Sequence, residues 1–259
     1  MPRQPPRLPR STTSSTQTPR HGLARVLSKL GICSRSQAEQ WVRVGRVSVD
    51  GRVIRDPYYP ILMGRQQLAV DSQPSEPAEC VYVVFNKPRG LVVSAADEQG
   101  RDTVYTALAD AGLPWLGPVG RLDKASEGLL LLSNDTSWAA GITDPASHLE
   151  KTYHVQVSGQ PDATVLDAMQ TGIVDDGEKL KVRRVALLRS GATNAWLEVV
   201  LDEGRNRHIR RLLAALGFDV KRLIRVAIGP LALGELAKGH WRQLSTEEVR
   251  SLAPPSARR

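Results

Sequence analysis

The feature that most constrains this chain is a run of four leucines at residues 129–132, inside the segment GRLDKASEGLLLLSND. Neighbouring side chains of a strand point to opposite faces of the sheet, so four adjacent leucines need apolar cover on both sides. The run therefore predicts a strand that is buried on both faces. A polar turn that contains Arg121 and Asp123 stands directly before this strand.

Two interpretations of Asp123 follow from this turn. A rigid strand would hold a charged side chain in one place, as reactive carboxylates are held in many functional sites. Alternatively, Asp123 caps its own turn and pairs with Arg121, because Asp side chains commonly bond to nearby groups in turns. Local chemistry alone leaves both interpretations open.

The rest of the chain predicts a mixed fold of the α+β class. Apolar or alternating stretches predict strands at residues 81–85, 91–94, 129–133, 152–158, 182–188, 195–201 and 220–224. Helical periodicity predicts helices near residues 103–111, 163–170, 207–216 and 245–252. The last helix would begin with a capping box formed by Ser245 and Glu248. Strands outnumber helices and do not alternate regularly with them, which favours a mainly antiparallel sheet.

A compact basic unit precedes this body. Apolar residues at helical spacing predict one helix that ends at Gly31 and a second that starts near Ser34 or Ser36. Alternating residues around Asp50 and Gly51 then predict a hairpin. The exposed basic positions of the unit are Arg25, Lys29, Arg35, Arg43 and Arg46.

Charge and composition divide the chain into five predicted parts. They are a disordered basic tail at residues 1–20, a small module at 21–70, a polar linker at 71–79, a large domain at 80–252 and a short tail at 253–259. The first sixty residues hold eleven Lys/Arg and three Asp/Glu, so they account for the whole formal net charge of +8. This distribution suggests a polyanionic partner for the module, with a solvated basic surface as the alternative.

Several classes of function lack the residues that they need. No apolar run reaches membrane-spanning length, no hydrophobic signal segment is seen, and two cysteines are too few for a disulfide framework. We therefore expect a reducing cytoplasm. The five histidines lack metal-ligand spacing, and no phosphate-binding loop or nucleophile elbow is present. A carboxylate, a tyrosine and arginines remain, without metal or cofactor.

Three further segments contain candidate functional residues. NKPRG (86–90) follows a predicted strand, KTY (151–153) opens one, and EGRNRHIRRL (203–212) leads from a strand into a helix. Residues 203–225 are the basic patch of the body and would suit a phosphate backbone, although a surface ion pair is the alternative for each arginine. The candidate phosphate contacts of the body are Lys87, Arg121, Arg205, Arg207, Arg211 and Arg225.

Taken in order, these motifs resemble those of the RsuA-type pseudouridine synthases, which modify ribosomal RNA. GRLD, with its Gly120, is similar to the catalytic motif of that branch. NKPRG, KTYHVQVSG and the segment from EGRNRHIRRL to GPLAL are similar to its other motifs. The front unit resembles the RNA-binding module first seen in a small-subunit ribosomal protein. The resemblance implies a β-rich synthase domain with a central cleft and no cofactor.

The same resemblance implies roles for individual residues. Asp123 would attack the flipped uridine, Tyr153 would stack on its base and help to remove a proton, and Arg210 would pair with the aspartate and keep it ionised. The sequence departs from the usual residues of the family at three positions, which are Ser126, Thr136 and His208.

We therefore expect a monomeric isomerase that converts a uridine of ribosomal RNA into pseudouridine. Large-subunit 23S RNA is favoured over small-subunit 16S RNA, and the substrate would be free RNA, a ribosomal subunit or an assembly intermediate. The alternative is a non-catalytic RNA-binding factor that acts in ribosome assembly. The joint presence of Asp123, Tyr153 and Arg210 favours the enzyme.

Overall fold

The computed structural model describes residues 20–94 and 100–253. The predicted tails at 1–20 and 253–259 therefore lie outside the described residues, except for Arg20 and Ala253. The described residues form two units with separate apolar cores, one within residues 23–68 and the other within residues 83–252. None of the helices in these ranges has the length and apolar character that a membrane span requires.

The front unit packs two helices against short strands. Its elements are β1 (His21–Gly22), α1 (Leu23–Lys29), α2 (Arg35–Arg43), β2 (Val47–Val49), β3 (Arg52–Val53), β4 (Pro60–Ile61), β5 (Leu68–Val70) and β6 (Gln73–Pro74). Ser34 caps α2, and the turn between β2 and β3 has positive φ at Asp50 and Gly51, as a two-residue hairpin turn requires. The two helices and the hairpin are confirmed. Part of the predicted linker is a strand, because β6 pairs with β5.

The second unit is built on a nine-stranded sheet. Its elements are β7 (Tyr82–Lys87), β8 (Gly117–Val119), β9 (Glu127–Ser133), α3 (Thr136–Thr143), β10 (Lys151–Ser158), α4 (Ala163–Thr171), β11 (Ile173–Asp175), β12 (Glu178–Leu180), β13 (Arg184–Ser190), β14 (Asn194–Leu201), α5 (His208–Ala215), β15 (Val220–Ile228), β16 (Leu231–Ala232), β17 (Trp241–Gln243) and α6 (Thr246–Leu252).

The strand order of this sheet is β13-β14-β10-β15-β9-β7-β17, with β16 beside β15 and β8 beside β9. β9 and β15 run parallel, and the other strand pairs of the sheet in the described ranges run antiparallel. The predicted α+β class with a mainly antiparallel sheet is confirmed. The capping box of Ser245 and Glu248 at the start of α6 is confirmed as well.

Two local predictions are wrong, and one helix was missed. Residues 91–94 form no strand, since Val92 makes only an isolated bridge to Thr103, while Leu91 and Val93 pack from a loop against the core. The helix predicted at 103–111 is a 3-10 helix at Thr106–Ala111. The sequence did not predict α3, in which Trp138 and Ile142 are buried.

β9 is the strand predicted from the four leucines. Each of these leucines is 0 % exposed. Leu129 and Leu131 pack in a core with α3 and α6, whereas Leu130 and Leu132 pack in another core with residues of β7. Because burying one leucine side chain contributes roughly 1.5–3 kcal/mol, β9 is a rigid support for the turn that precedes it.

Asn134, the residue after β9, connects the two units. It is 3 % exposed, and its side chain accepts a hydrogen bond from Val81 N and donates one to Glu79 O, both at 2.8 Å. The neighbouring Ala78 N donates to the carbonyl oxygen of Leu30 at the end of α1, at 3.0 Å. The front unit is thus attached at one end of β9, and the Asp123 turn precedes the other end.

Candidate active site

The turn before β9 opens onto a cavity of about 370 Å³. Its wall includes Asp123 from the turn, Tyr153 from β10 and Arg225 from β15. The strand register brings them together, because Tyr153 lies opposite Arg225 on the antiparallel neighbour and Arg225 lies beside Gly128 of β9. A cavity of this size is typical of small-ligand sites. It can admit a single base.

The carboxylate of Asp123 is exposed, and within the described residues it makes no hydrogen bond or ion pair. The main chain of Asp123 is fixed, however, since its carbonyl oxygen accepts from Ser126 N at 2.9 Å and from Lys87 Nζ at 3.3 Å. Arg121 is exposed and does not pair with Asp123. The interpretation of Asp123 as a turn cap paired with Arg121 is therefore wrong.

Lys87 supports this turn from inside the protein. Its side chain is 0 % exposed, and its Nζ donates to the carbonyl oxygens of Pro88 (3.0 Å), Asp123 (3.3 Å) and Ser126 (2.8 Å). Burial lowers the pKa of Lys87 to about 8, although the carboxylates of Glu127 and Asp123 oppose that shift. The ammonium group has one donor for each carbonyl. In this structure Lys87 is therefore not accessible to RNA, in contrast to the sequence prediction.

Replacing Lys87 by Met should lower the free energy of unfolding by about 3 kcal/mol, because the buried carbonyls lose their shared donor. Urea unfolding followed by circular dichroism measures this loss. The matched control is Lys124→Met, since Lys124 belongs to the same turn and its side chain is exposed. We expect the control to change stability by less than about 0.5 kcal/mol. Similar losses in both variants would argue against the supporting role of Lys87.

Glu127, the first residue of β9, anchors the turn on its other side. It is 3 % exposed and accepts from Arg222 Nε and Nη2, both at 3.0 Å, and from Lys238 Nζ at 2.6 Å. The hydrogen bonds from Arg222, together with those from Lys238, lower the pKa of Glu127 to about 2 against the opposing effect of burial. Glu127 was not among the residues predicted from the sequence. A charged glutamate at the start of a buried strand needs hydrogen-bond or ion-pair partners, and this need was the signal in the sequence that could have identified Glu127.

The side chain of Arg210, on α5, contacts the backbone of the same turn. Its Nη2 donates to Ala125 O at 3.1 Å and its Nη1 donates to Val220 O at 3.3 Å. Within the described residues it forms no ion pair with Asp123. Burial lowers the pKa of Arg210, Arg207 adds to that shift, and the charge of Asp123 opposes it. Arg210 therefore lies close enough to Asp123 to interact with its charge, and its buried Nε has no hydrogen-bond partner.

Most of the chain is similar to known proteins. Residues 81–215 match the family model described as RNA pseudouridylate synthase, and residues 22–66 match the S4 domain. A protein of Rickettsia prowazekii, named as an uncharacterized RNA pseudouridine synthase, is 36% identical over 225 residues, which are 87% of this chain and 94% of that protein. The chain belongs to the RNA pseudouridine synthase family.

Two further relatives agree with this assignment. A protein of Aquifex aeolicus with the same name is 36% identical to the synthase over 228 residues, which are 87% of this chain and 91% of that protein. A crystal structure described as that of a pseudouridylate synthase has 30% sequence identity and a TM-score of 0.63, and it covers 90% of this chain and 100% of its own. The synthase is therefore an RNA-modifying isomerase with an S4 domain in front, as the motifs predict.

Several of the predicted RNA contacts lie at the cavity of the synthase. Four of them line its wall: Arg121, Arg205, Arg207 and Arg225. Arg205 is partly neutralised by Glu203 at 3.0 Å. Arg211 does not line the wall, since it forms ion pairs with Asp175 at 2.7 Å and with Glu178 at 2.6 Å. The exposed side chains of Arg121 and Arg207 have no ion-pair partner among the described residues.

The predicted contacts of the S4 domain lie on α1, on α2 and just before β2: Arg25, Lys29, Arg35, Arg43 and Arg46. Glu39 is 3.3 Å from Arg35 and 4.0 Å from Arg43. Arg46 forms an ion pair with Asp71 and lies over the ring of Trp41. Arg25 is exposed and has no ion-pair partner among the described residues. Lys29 is partly buried, with its Nζ 3.2 Å from Nε2 of His21. The exposed side chains of Arg25, Arg35 and Arg43 remain available to an external polyanion.

The three departures from the usual family residues lie around the cavity and β9. Ser126 is 1 % exposed within the turn, and Thr136 is the first residue of α3. His208 lines the cavity at the start of α5 and is 3 % exposed. Burial lowers the pKa of His208, and the charge of Glu203 opposes that shift.

Proposed function

We propose that the synthase converts one uridine of ribosomal RNA into pseudouridine, with large-subunit 23S RNA as the first substrate to test. The target nucleotide would turn out of the RNA so that its base enters the cavity beside Asp123 and Tyr153. Unstacking one base costs a few kcal/mol and is easiest in loops and bulges. We also propose that the synthase acts as a monomer in a reducing cytoplasm, which agrees with the free thiols of Cys33 and Cys80.

The observation that carries this proposal is that the main chain of Asp123 is fixed while its carboxylate is unpaired among the described residues. Its turn is held through backbone oxygens by Lys87, by the N–H of Gly90 and by Arg210. Its carboxylate has no partner among the described residues. A fixed carboxylate without partners is available to react, because the fold does not depend on its contacts. We assign it as the nucleophile.

The isomerisation replaces the C1′–N1 bond by a C1′–C5 bond and exchanges a proton on C5 for one on N1. The carboxylate of Asp123 bonds to C1′ as the glycosidic C1′–N1 bond breaks, the uracil ring rotates, and C5 then displaces the carboxylate as the C1′–C5 bond forms. The ring then loses the proton on C5 and gains one on N1, so that no redox partner is consumed. In this scheme Tyr153 stacks on the base and assists removal of the proton, and the positive charge of Arg210 attracts the carboxylate of Asp123.

The test uses purified synthase and unmodified transcripts of 23S and 16S RNA, each also assembled into subunits. Pseudouridines are mapped by carbodiimide labelling followed by reverse transcription. We expect one new site in 23S RNA. A new site in 16S RNA alone would move the target to the small subunit, and the absence of any new site would overturn the proposal.

The S4 domain should contribute to RNA affinity through its exposed cations. Replacing Arg25 and Arg43 together by Gln should lower the affinity for the substrate RNA and flatten its dependence on salt. If each contacts one phosphate, the slope of log K against log salt falls by roughly 1.5. Filter binding at several salt concentrations measures this slope.

The matched control removes two charges from the other unit. Arg189 and Arg250 are exposed and lie outside the basic patch of residues 203–225, and their double replacement by Gln gives the same change in net charge. We expect the control to leave the slope nearly unchanged. Equal slopes for the two double variants would show that the S4 cations make no specific phosphate contact.

A further inference from the structure

Two cations line the cavity beneath the proposed position of the base. Arg225 is only 5 % exposed, its Nε donates to Leu129 O at 2.8 Å, and its buried Nη2 has no hydrogen-bond partner. Lys151 is partly buried, and its side chain makes neither a hydrogen bond nor an ion pair among the described residues. Both residues belong to the cavity wall.

The sheet places these two side chains on the same face as Tyr153. Arg225 is the direct cross-strand neighbour of Tyr153 in the pair of β10 and β15. Lys151 precedes Tyr153 by two residues on β10, so both point to one face of the sheet. Burial lowers the pKa of Lys151, the charge of Arg225 lowers it further, and Asp202 opposes the shift.

Two neighbouring cations with unused donors favour a ligand that brings negative charge or strong acceptor oxygens. Burial of a charged donor without a partner is costly, and an incoming acceptor removes that cost. A phosphate remains part of the continuous RNA strand and must stay near the mouth of the cavity. A base that has turned inward can reach a side chain as buried as Arg225.

We propose that Arg225, with Lys151 beside it, binds a carbonyl oxygen of the target uracil and stabilises the negative charge of the ring after it separates from the ribose. This inference rests on the proposed function. When the C1′–N1 bond breaks, the electron pair leaves with N1, and the charge spreads over N1, N3 and the two carbonyl oxygens. It disappears when C5 bonds to C1′, the C5 proton leaves and N1 takes up a proton.

The arrangement acts on charge that develops during the reaction, as preorganised donors do in oxyanion sites. Nε of Arg225 is already used by Leu129 O, which fixes the plane of the guanidinium. The remaining nitrogens therefore meet the base without further ordering of the side chain. Loss of one such donor lowers kcat by about 10²–10³-fold in comparable sites.

The experiment compares Arg225→Gln and Lys151→Gln with the wild type, on the RNA fragment that the wild type modifies. One fragment has uridine at the target position and the other has 5-fluorouridine. Fluorine withdraws electrons and stabilises the separated ring itself. The rate measured is the loss of N-linked nucleoside in a single turnover, because fluorine blocks the final loss of the C5 proton.

We expect Arg225→Gln to slow the uridine reaction by on the order of 10²-fold, with RNA affinity within about threefold of wild type. The defect should shrink by at least about tenfold on 5-fluorouridine, because that ring depends less on the missing donor. Lys151→Gln should show a smaller defect with the same dependence on fluorine. Since Lys151 has no hydrogen bond to lose, this variant tests the inference even if Arg225→Gln folds poorly.

Three outcomes would count against the inference. Equal defects on both fragments would indicate a purely structural role for Arg225 and Lys151. A loss of RNA affinity with unchanged single-turnover rate would indicate a phosphate contact. A wild type that converts no uridine in any ribosomal RNA would overturn the proposed function, and this inference with it.

Discussion

Asp123→Asn is expected to abolish pseudouridine formation and to leave the fold intact. The amide has nearly the shape of the carboxylate but is neutral and a poor nucleophile, so kcat should fall by at least about 10⁴-fold. Because the carboxylate makes no hydrogen bond or ion pair with other described residues, the free energy of unfolding should change by less than about 0.5 kcal/mol. RNA affinity should stay close to that of the wild type. Single-turnover assays, thermal unfolding and filter binding measure the three quantities.

Asp144→Asn is the matched control for the loss of one negative charge. Asp144 also lines the cavity, and its side chain caps a short turn by accepting from Ala146 N at 2.9 Å. We expect this variant to retain activity within about tenfold and to lose a modest amount of stability. Retained activity in Asp123→Asn, or an equal loss in both variants, would disprove the assignment of Asp123 as nucleophile.

Gly128→Ala is expected to have the largest effect on stability. Gly128 has φ +99°, which residues with a side chain rarely adopt, and a Cβ at this position would overlap the carbonyl oxygen of Arg225 on β15. The alanine can be accommodated only if β9 and β15 move apart at the centre of the sheet. The free energy of unfolding should fall by more than about 4 kcal/mol. Urea unfolding and the soluble fraction after expression measure the loss.

Gly90→Ala separates the two causes of this effect. Gly90 has a nearly equal φ of +104°, but no described atom outside its immediate neighbours lies within 4 Å of the Cβ position. This variant carries the backbone strain without the overlap, which should cost about 1–3 kcal/mol. The difference in stability loss between the two variants then measures the cost of the overlap between the new Cβ and the carbonyl oxygen of Arg225. Equal losses of stability would mean that β9 and β15 move apart at little energetic cost.

The sequence predicts the support of the active site well because that support is local. Four adjacent leucines require a strand covered on both faces, and residues 129–132 are buried as expected. The same pattern places the polar turn of Asp123 against a rigid element. The helices and the hairpin of the S4 domain follow from short-range periodicity and turn residues in the same way.

The contacts that fix the turn could not be predicted, because they depend on which residues meet across the sheet. NKPRG has the composition of an exposed cationic turn, but β7 continues through Lys87 and directs its ammonium under the Asp123 turn. The partners of Glu127, Arg222 and Lys238, are distant in the sequence. The motif resemblance pairs Arg210 with Asp123, whereas its guanidinium bonds to backbone oxygens.

The attachment of the S4 domain to β9 bears on which RNAs the synthase can use. Asn134 holds the domain at one end of this seven-residue strand, and the Asp123 turn precedes the other end, roughly 20 Å away at the usual rise per residue. The strand thus sets the spacing between the attachment of the S4 domain and the turn that contains the proposed nucleophile. We expect an RNA that contacts both units to bridge this spacing, so that the length of β9 would help to select the target uridine.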